Sequence, residues 1–107
     1  MYMLFLDYDD VTLDFVEDEV RRLRARAMQV WMKDLGKAVI LESSKEHYHV
    51  IFPESRLTWG ELDVLLGESN AHSGFIKFTR LVGEQALRVS SKPVSKVGEP
   101  KIVKIIE

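Results

Sequence analysis

The spacing of apolar residues changes abruptly near residue 12, and that change constrains the fold more than any single motif. Before it, Tyr2–Tyr8 (YMLFLDY) is a short apolar and aromatic run, the signature of a buried strand. After it, Val16, Val20, Leu23, Ala27, Val30, Trp31 and Leu35 recur at steps of three and four, which predicts one apolar stripe on a long amphipathic helix. Thr12 or Asp14 is placed to cap that helix, acids crowd its first turns where the helix dipole favours them, and Gly36 is expected to end it. A strand followed by a long helix must bury one face of each against the other.

The remaining chain repeats the scheme. KAVIL (Lys37–Leu41) reads as a second strand, SSKE as a hairpin connection and HYHVIF (His47–Phe52) as a third strand that Pro53 stops. Thr58 with Glu61 three residues on forms a capping box for a short helix through Leu62, Leu65 and Leu66 to Gly67. FIKFTRLV (Phe75–Val82) fits both periods, and Gly83 behind it favours a short helix, with ALRVSS as the next strand. From Pro93 onward the pattern loosens and allows a last strand in KIVKII. The order β-α-β-β-α-β predicts an α+β, ferredoxin-like or RRM-like split β-α-β sandwich, an antiparallel sheet with helices on one face. The expected division is a domain over 1–92 and a basic C-terminal extension over 93–107.

Composition narrows the function classes. A chain of 107 residues with 46% hydrophobic and 30% charged residues fits one globular core and argues against disorder. No apolar run approaches the roughly 20 residues of a membrane helix. The start, MYMLFLDYDD, lacks the basic region of a secretory leader, so an intracellular, cytoplasmic protein is expected. The absence of cysteine excludes disulfides and thiolate metal sites. Net charge is only −2, but its distribution is uneven. Seven acids and no base occupy residues 1–20, Arg21, Arg22, Arg24 and Arg26 form a basic block, and residues 88–107 hold five bases against two acids. Such asymmetry can steer a phosphate backbone, although it also describes ordinary solvated faces.

Two polar pairs stand out. Asp7 and Asp9 lie two apart at the end of the first strand, so alternation puts both carboxylates on one face and Tyr8 on the other. Paired carboxylates suit Mg²⁺ or Mn²⁺ held against substrate phosphates, while acids at a strand end also serve as turn formers. His47 and His49 share the same geometry on the third strand, where they could meet a metal or a phosphate, or simply face solvent. In a split β-α-β sheet the first and third strands are neighbours, so the two pairs are expected on one sheet face. His72, in SNAHSGF, reads first as a loop residue.

These residues resemble the archaeo-eukaryotic primase superfamily, the primase-polymerase type found in plasmids, viruses and archaea. Asp7-Tyr8-Asp9 matches its first-strand D-x-D. SKEHYH (Ser44–His49) running into VIF resembles its S-G-x-G-x-H-hydrophobic motif, with Lys45 and His47 where glycines are usual. ALRVSSKP (Ala86–Pro93) resembles its later Leu-Arg…Ser…Lys segment. The resemblance spans about residues 3–93. It implies an RRM-like catalytic half for DNA replication, a metal-dependent nucleotidyltransferase or a degenerate nucleic-acid-binding relative. Asp7 and Asp9 would bind Mg²⁺ or Mn²⁺, with His72 standing where a later acid is expected. Asp7, Asp9 and His49 would be catalytic, Ser44 and His49 would hold nucleotide phosphates, and Arg88 and Lys92 the phosphate backbone. DNA or RNA and nucleotides would be the ligands, and a partner subunit could supply the second module that family enzymes carry.

A second resemblance competes. H-Y-H matches the metal motif of His-hydrophobe-His replication and relaxase endonucleases. Those enzymes need a tyrosine nucleophile on a later helix, and no tyrosine follows Tyr48 here. A non-catalytic RRM-like module, with Phe5 and Tyr48 as its only strand-centre aromatics, is a third reading.

Overall fold

The computed structural model describes residues 1–71 and 101–107. Within them the chain runs β1 (Tyr2–Asp9), α1 (Leu13–Trp31), β2 (Ala38–Ser44), β3 (His47–Leu57), α2 (Trp59–Glu68) and β4 (Lys101–Ile106). The four strands form one antiparallel sheet in the order β1-β3-β2-β4. With β3 inserted between β1 and β2, the fold is α+β and compatible with a ferredoxin-like split β-α-β sandwich. The expectations for FIKFTRLV and ALRVSS lie outside the described residues. KIVKII does form a strand, on the free edge of β2.

Strand alternation sorts the sheet into two faces. Leu4, Leu6 and Tyr8 of β1, Ala38 and Ile40 of β2, and Tyr48, Val50 and Phe52 of β3 join Val16, Val20, Leu23 and Ala27 of α1 and Leu62, Leu65 and Leu66 of α2 in one buried cluster. Both helices therefore cover the same face. Burying side chains of this size contributes about 1.5–3 kcal/mol each, and this layer is what holds the fold. The capping box of α2 is present in both directions: the Glu61 backbone N–H donates to Thr58 Oγ1 (3.2 Å), and the Thr58 N–H donates to Glu61 Oε1 (2.9 Å). Thr12 caps α1 by accepting from the Phe15 N–H.

Three details depart from the sequence reading. First, α1 stops at Trp31, not at Gly36. Met32 takes a left-handed conformation (φ 52°, ψ 34°); its N–H donates to the Met28 carbonyl (2.9 Å) and the Lys33 N–H to the Ala27 carbonyl (3.3 Å). Val30, expected on the buried stripe, is exposed within the last turn of α1, while Leu35 is buried from beyond the helix. Gly36 serves a different need. It has φ +77°, and a Cβ there would meet Glu54 Oε1 at 2.7 Å.

Second, Pro53 does not stop β3. The pairs Leu4↔Phe52 and Tyr2↔Leu57 show that the strand resumes after an irregularity containing the proline. Lacking an N–H, Pro53 is tolerated where ladder pairing is already interrupted. Ser55 repairs the gap. Its buried hydroxyl accepts from the Leu4 N–H (2.8 Å) and donates to the Phe52 carbonyl (2.7 Å).

Third, much of the arginine block of α1 is engaged with acids. Arg21 faces Glu17 and Asp18, Arg22 meets Glu19, and Arg26 meets Glu68. The charge asymmetry seen in the sequence is thus partly neutralised in the fold.

Candidate functional site on the outer sheet face

The face of the sheet away from the helices carries the alternate residues of each strand, among them Phe5 and Leu41, which are buried although they lie outside the helix-side cluster. Register arranges them in rows. Phe5, Ile51, Val39 and Ile105 form one row, and Asp7, His49, Leu41 and Ile102 the next. Asp9, His47 and Ser44 form the third. The face is apolar at one end and polar at the other, and the boundary runs through the second row.

The two polar pairs meet as the shared face requires. His49 Nε2 lies 3.4 Å from Asp7 Oδ1. His47 Nδ1 is in direct contact with Asp9 Oδ1. The pairs are directly opposed neighbours on β1 and β3, so the backbone ladder itself sets their approach. They differ in environment. His49 is the more enclosed, with 18% of its side chain exposed against 39% for His47. The imidazole of His49 also lies 5.5 Å from the Phe5 ring at a 58° tilt. Phe5 is itself buried, so His49 stands between an apolar wall and a carboxylate.

The surrounding backbone is tightly shaped. Asp10 (φ 56°) and Glu46 (φ 63°) are both left-handed, one just after β1 and the other in the Lys45–Glu46 turn. The Val11 N–H donates to the Glu46 carbonyl (3.3 Å), tying the exit of β1 to the tip of the β2–β3 hairpin. Ser44 ends β2 opposite His47, beside a register shift, while His49 has Leu41 as its β2 neighbour. The sequence pattern grouped Ser44 with His49; the register places the hydroxyl-bearing residue next to His47 instead.

Asp7, Asp9, His47, His49 and Ser44 therefore come together on one face. His72, Arg88 and Lys92 lie outside the described residues. Among the described residues no three histidine or acidic side chains converge as a ready metal cage. Each carboxylate of the D-x-D is turned toward a histidine. Asp7 and Asp9 offer carboxylate oxygen, the ligand type that Mg²⁺ and Mn²⁺ take, but each is turned to an imidazole and no third ligand joins them among the described residues.

The sequence reading missed a second polar cluster, on the helix side. Glu19 of α1 is buried and accepts from Tyr8 Oη, from the backbone N–H and side-chain amide of Asn70, and from the Arg22 guanidinium. Burial alone would raise its pKa, but the bonds from Asn70 and Arg22 outweigh burial and hold the carboxyl below its usual range. Burial and the neighbouring Glu19 carboxylate raise the Tyr8 phenol well above its ordinary value. The only sequence signal was an acid at a stripe-facing position between Val16 and Val20, which a reading of apolar spacing passes over.

No helix among the described residues is long and apolar enough to cross a membrane. No protein-family model matches the chain, and comparison with curated proteins and with solved structures gives no significant match.

Proposed function

We propose that the polar end of the outer face is a nucleotide and nucleic-acid phosphate site of the primase-polymerase type. The observation that supports this reading most is the opposition of Asp7 to His49 and of Asp9 to His47 across adjacent strands. It puts a D-x-D and the histidine of the resembling motif side by side on one sheet face.

Each residue has a role that follows from its chemistry. Asp7 and Asp9 would hold Mg²⁺ or Mn²⁺ through their carboxylates. The bound ion would neutralise phosphate charge and favour in-line displacement at the nucleotide α-phosphate. His49, beside Asp7 and backed by Phe5, would offer its imidazole to a nucleotide phosphate. Ser44 supplies a hydroxyl donor from the hairpin end. Arg88 and Lys92 would take the phosphate backbone by charge-assisted bonds. DNA or RNA, nucleotides and a partner subunit carrying a second module remain the partners of this reading, and DNA replication its setting.

The endonuclease reading is less well supported. Its two histidines should share one metal, whereas here each imidazole faces its own carboxylate. A non-catalytic nucleic-acid-binding module is the second reading, favoured by the same pairing, since both carboxylates already have imidazole neighbours. One experiment separates the readings. Nucleotide incorporation on a primed template is measured with Mn²⁺, for the native chain and for Asp7→Asn and His49→Ala. Incorporation lost in both variants supports the enzyme. No incorporation by the native chain, with salt-sensitive nucleic-acid binding that survives both substitutions, rejects it in favour of the binding module.

A further inference from the structure

We infer that Glu19 is a positioning residue for the Asp7–Asp9 segment and acts on it through Tyr8. The two Asp/His pairs share an underside. Tyr8 lies between Asp7 and Asp9 on β1, and Tyr48 lies between His47 and His49 on β3. Register sets Tyr8 directly opposite Tyr48, between the Asp7↔His49 and Asp9↔His47 pairs. Alternation turns both tyrosines into the helix-side cluster, while the four outer residues face the other way. A displacement of Tyr8 therefore moves the main chain on which both carboxylates stand.

This row is held differently from its neighbours. Leu4, Leu6, Val50 and Phe52, the adjacent helix-side residues, are held by apolar packing. Tyr8 is also fastened at one point, because its buried phenol donates to Glu19 Oε1 (3.1 Å). Glu19 is itself fixed from other sides. The Asn70 backbone N–H donates to the same oxygen (2.8 Å), while the Asn70 side-chain amide (3.0 Å) and the Arg22 guanidinium (2.8 Å) donate to Oε2. Arg22 also donates to the Glu68 carbonyl (2.8 Å), so the carboxylate is tied to α1 and to the end of α2 together. A buried carboxylate is a poor way to add stability, since apolar replacements of buried ionic groups are often neutral or stabilising. A fully bonded buried network does fix one arrangement of the groups it joins. Here that arrangement includes the strand segment carrying Asp7 and Asp9.

Only the consequence for ligand affinity rests on the proposed metal and phosphate site, so two readouts are needed. The ring signals of His47 and His49 are followed by NMR in the ligand-free chain. Affinity for Mn²⁺ alone is read from paramagnetic broadening of the Asp7 and Asp9 amides. Tyr8→Phe keeps the ring and loses the bond. It should shift both imidazole signals and weaken Mn²⁺ binding about threefold to tenfold, less than the loss of a partner bonded directly to a metal ligand. Glu19→Ala should give the same loss and the double variant no more, because one path carries both effects. Ser55→Ala, expected to destabilise the fold at least as much as Tyr8→Phe, should move neither readout. If Glu19→Ala does not fold, Tyr8→Phe against Ser55→Ala decides. Shifted imidazoles with no Mn²⁺ binding by the native chain would support the positioning role and reject the metal reading. Unshifted imidazoles in Tyr8→Phe, an equal shift in Ser55→Ala, or additive losses in the double variant would overturn the inference.

Discussion

Tyr8 and Glu19 share a buried hydrogen bond of 3.1 Å, from the phenol of β1 to a carboxylate of α1. Tyr8 lies between Asp7 and Asp9 in sequence and points the opposite way. The bond therefore clamps, from the helix side, the segment that carries both candidate acids. Glu19→Ala would strip partners from Tyr8, Asn70 and Arg22 at once. The expected loss is about 2–4 kcal/mol of unfolding free energy in a urea titration, since the buried groups left behind stay desolvated. Tyr8→Phe removes only one partner and should cost about 1 kcal/mol.

The same cluster gives a pH dependence. The folded Glu19 carboxyl is held below its unfolded value. Its contribution is complete above the unfolded glutamate range and is lost as pH falls through the lower folded value. Thermal melts of the native chain should decline on the acid side, and Glu19→Gln should decline less steeply over that window. Parallel curves for the two proteins would refute the assignment.

Met32 offers a stabilising change. It ends α1 in a left-handed conformation with its side chain 85% exposed, so a glycine there loses no packing. Met32→Gly should raise stability by about 1 kcal/mol, read as a melting-temperature increase of about 4–8 °C. An unchanged or lower melting temperature would show that the cap is not strained.

Ser55 stands in for a ladder partner at the β1–β3 irregularity. Ser55→Ala leaves the Leu4 N–H without that acceptor inside the core, with an expected cost of about 1–3 kcal/mol. Amide exchange at Leu4 should accelerate more than exchange at Leu6, which lies in the regular ladder.

His47 and His49 should behave differently toward a metal nucleotide. His49→Ala removes a donor between Phe5 and Asp7 and should weaken binding at least tenfold by calorimetry with Mn²⁺ and nucleotide, consistent with a charge-assisted bond of about 1.5–3 kcal/mol. His47→Ala removes the imidazole in contact with Asp9 and should leave affinity unchanged or raise it about twofold, the scale of an exposed ion pair. The reverse order would make His47 the ligand-facing residue.

Among the described residues, the four strands, the two helices and the shared face of Asp7, Asp9, His47 and His49 were legible because they follow from period and alternation, which depend on neighbours in sequence. What escaped depends on distant partners. Pro53 looked like a terminator because nothing local announces that Ser55 will bridge to Leu4. Gly36 looked like a helix cap, although Met32 had already ended the helix and the glycine answers to Glu54. Glu19 looked like one acid among seven, because its partners Tyr8 and Asn70 come from opposite sides of it in the sequence. Ser44 was matched to His49 by motif order, whereas a register shift at the hairpin pairs it with His47.

The bond from the Val11 N–H to the Glu46 carbonyl has a mechanical consequence. It links the segment leaving Asp9 to the turn between Ser44 and His47, so the acid, the hydroxyl and the imidazole of the third row hang from one brace. A ligand that pushes on the hairpin tip would load the segment after Asp9 through this bond. Occupancy at Ser44 would then be transmitted to the carboxylate through the main chain, without any side chain having to carry the signal.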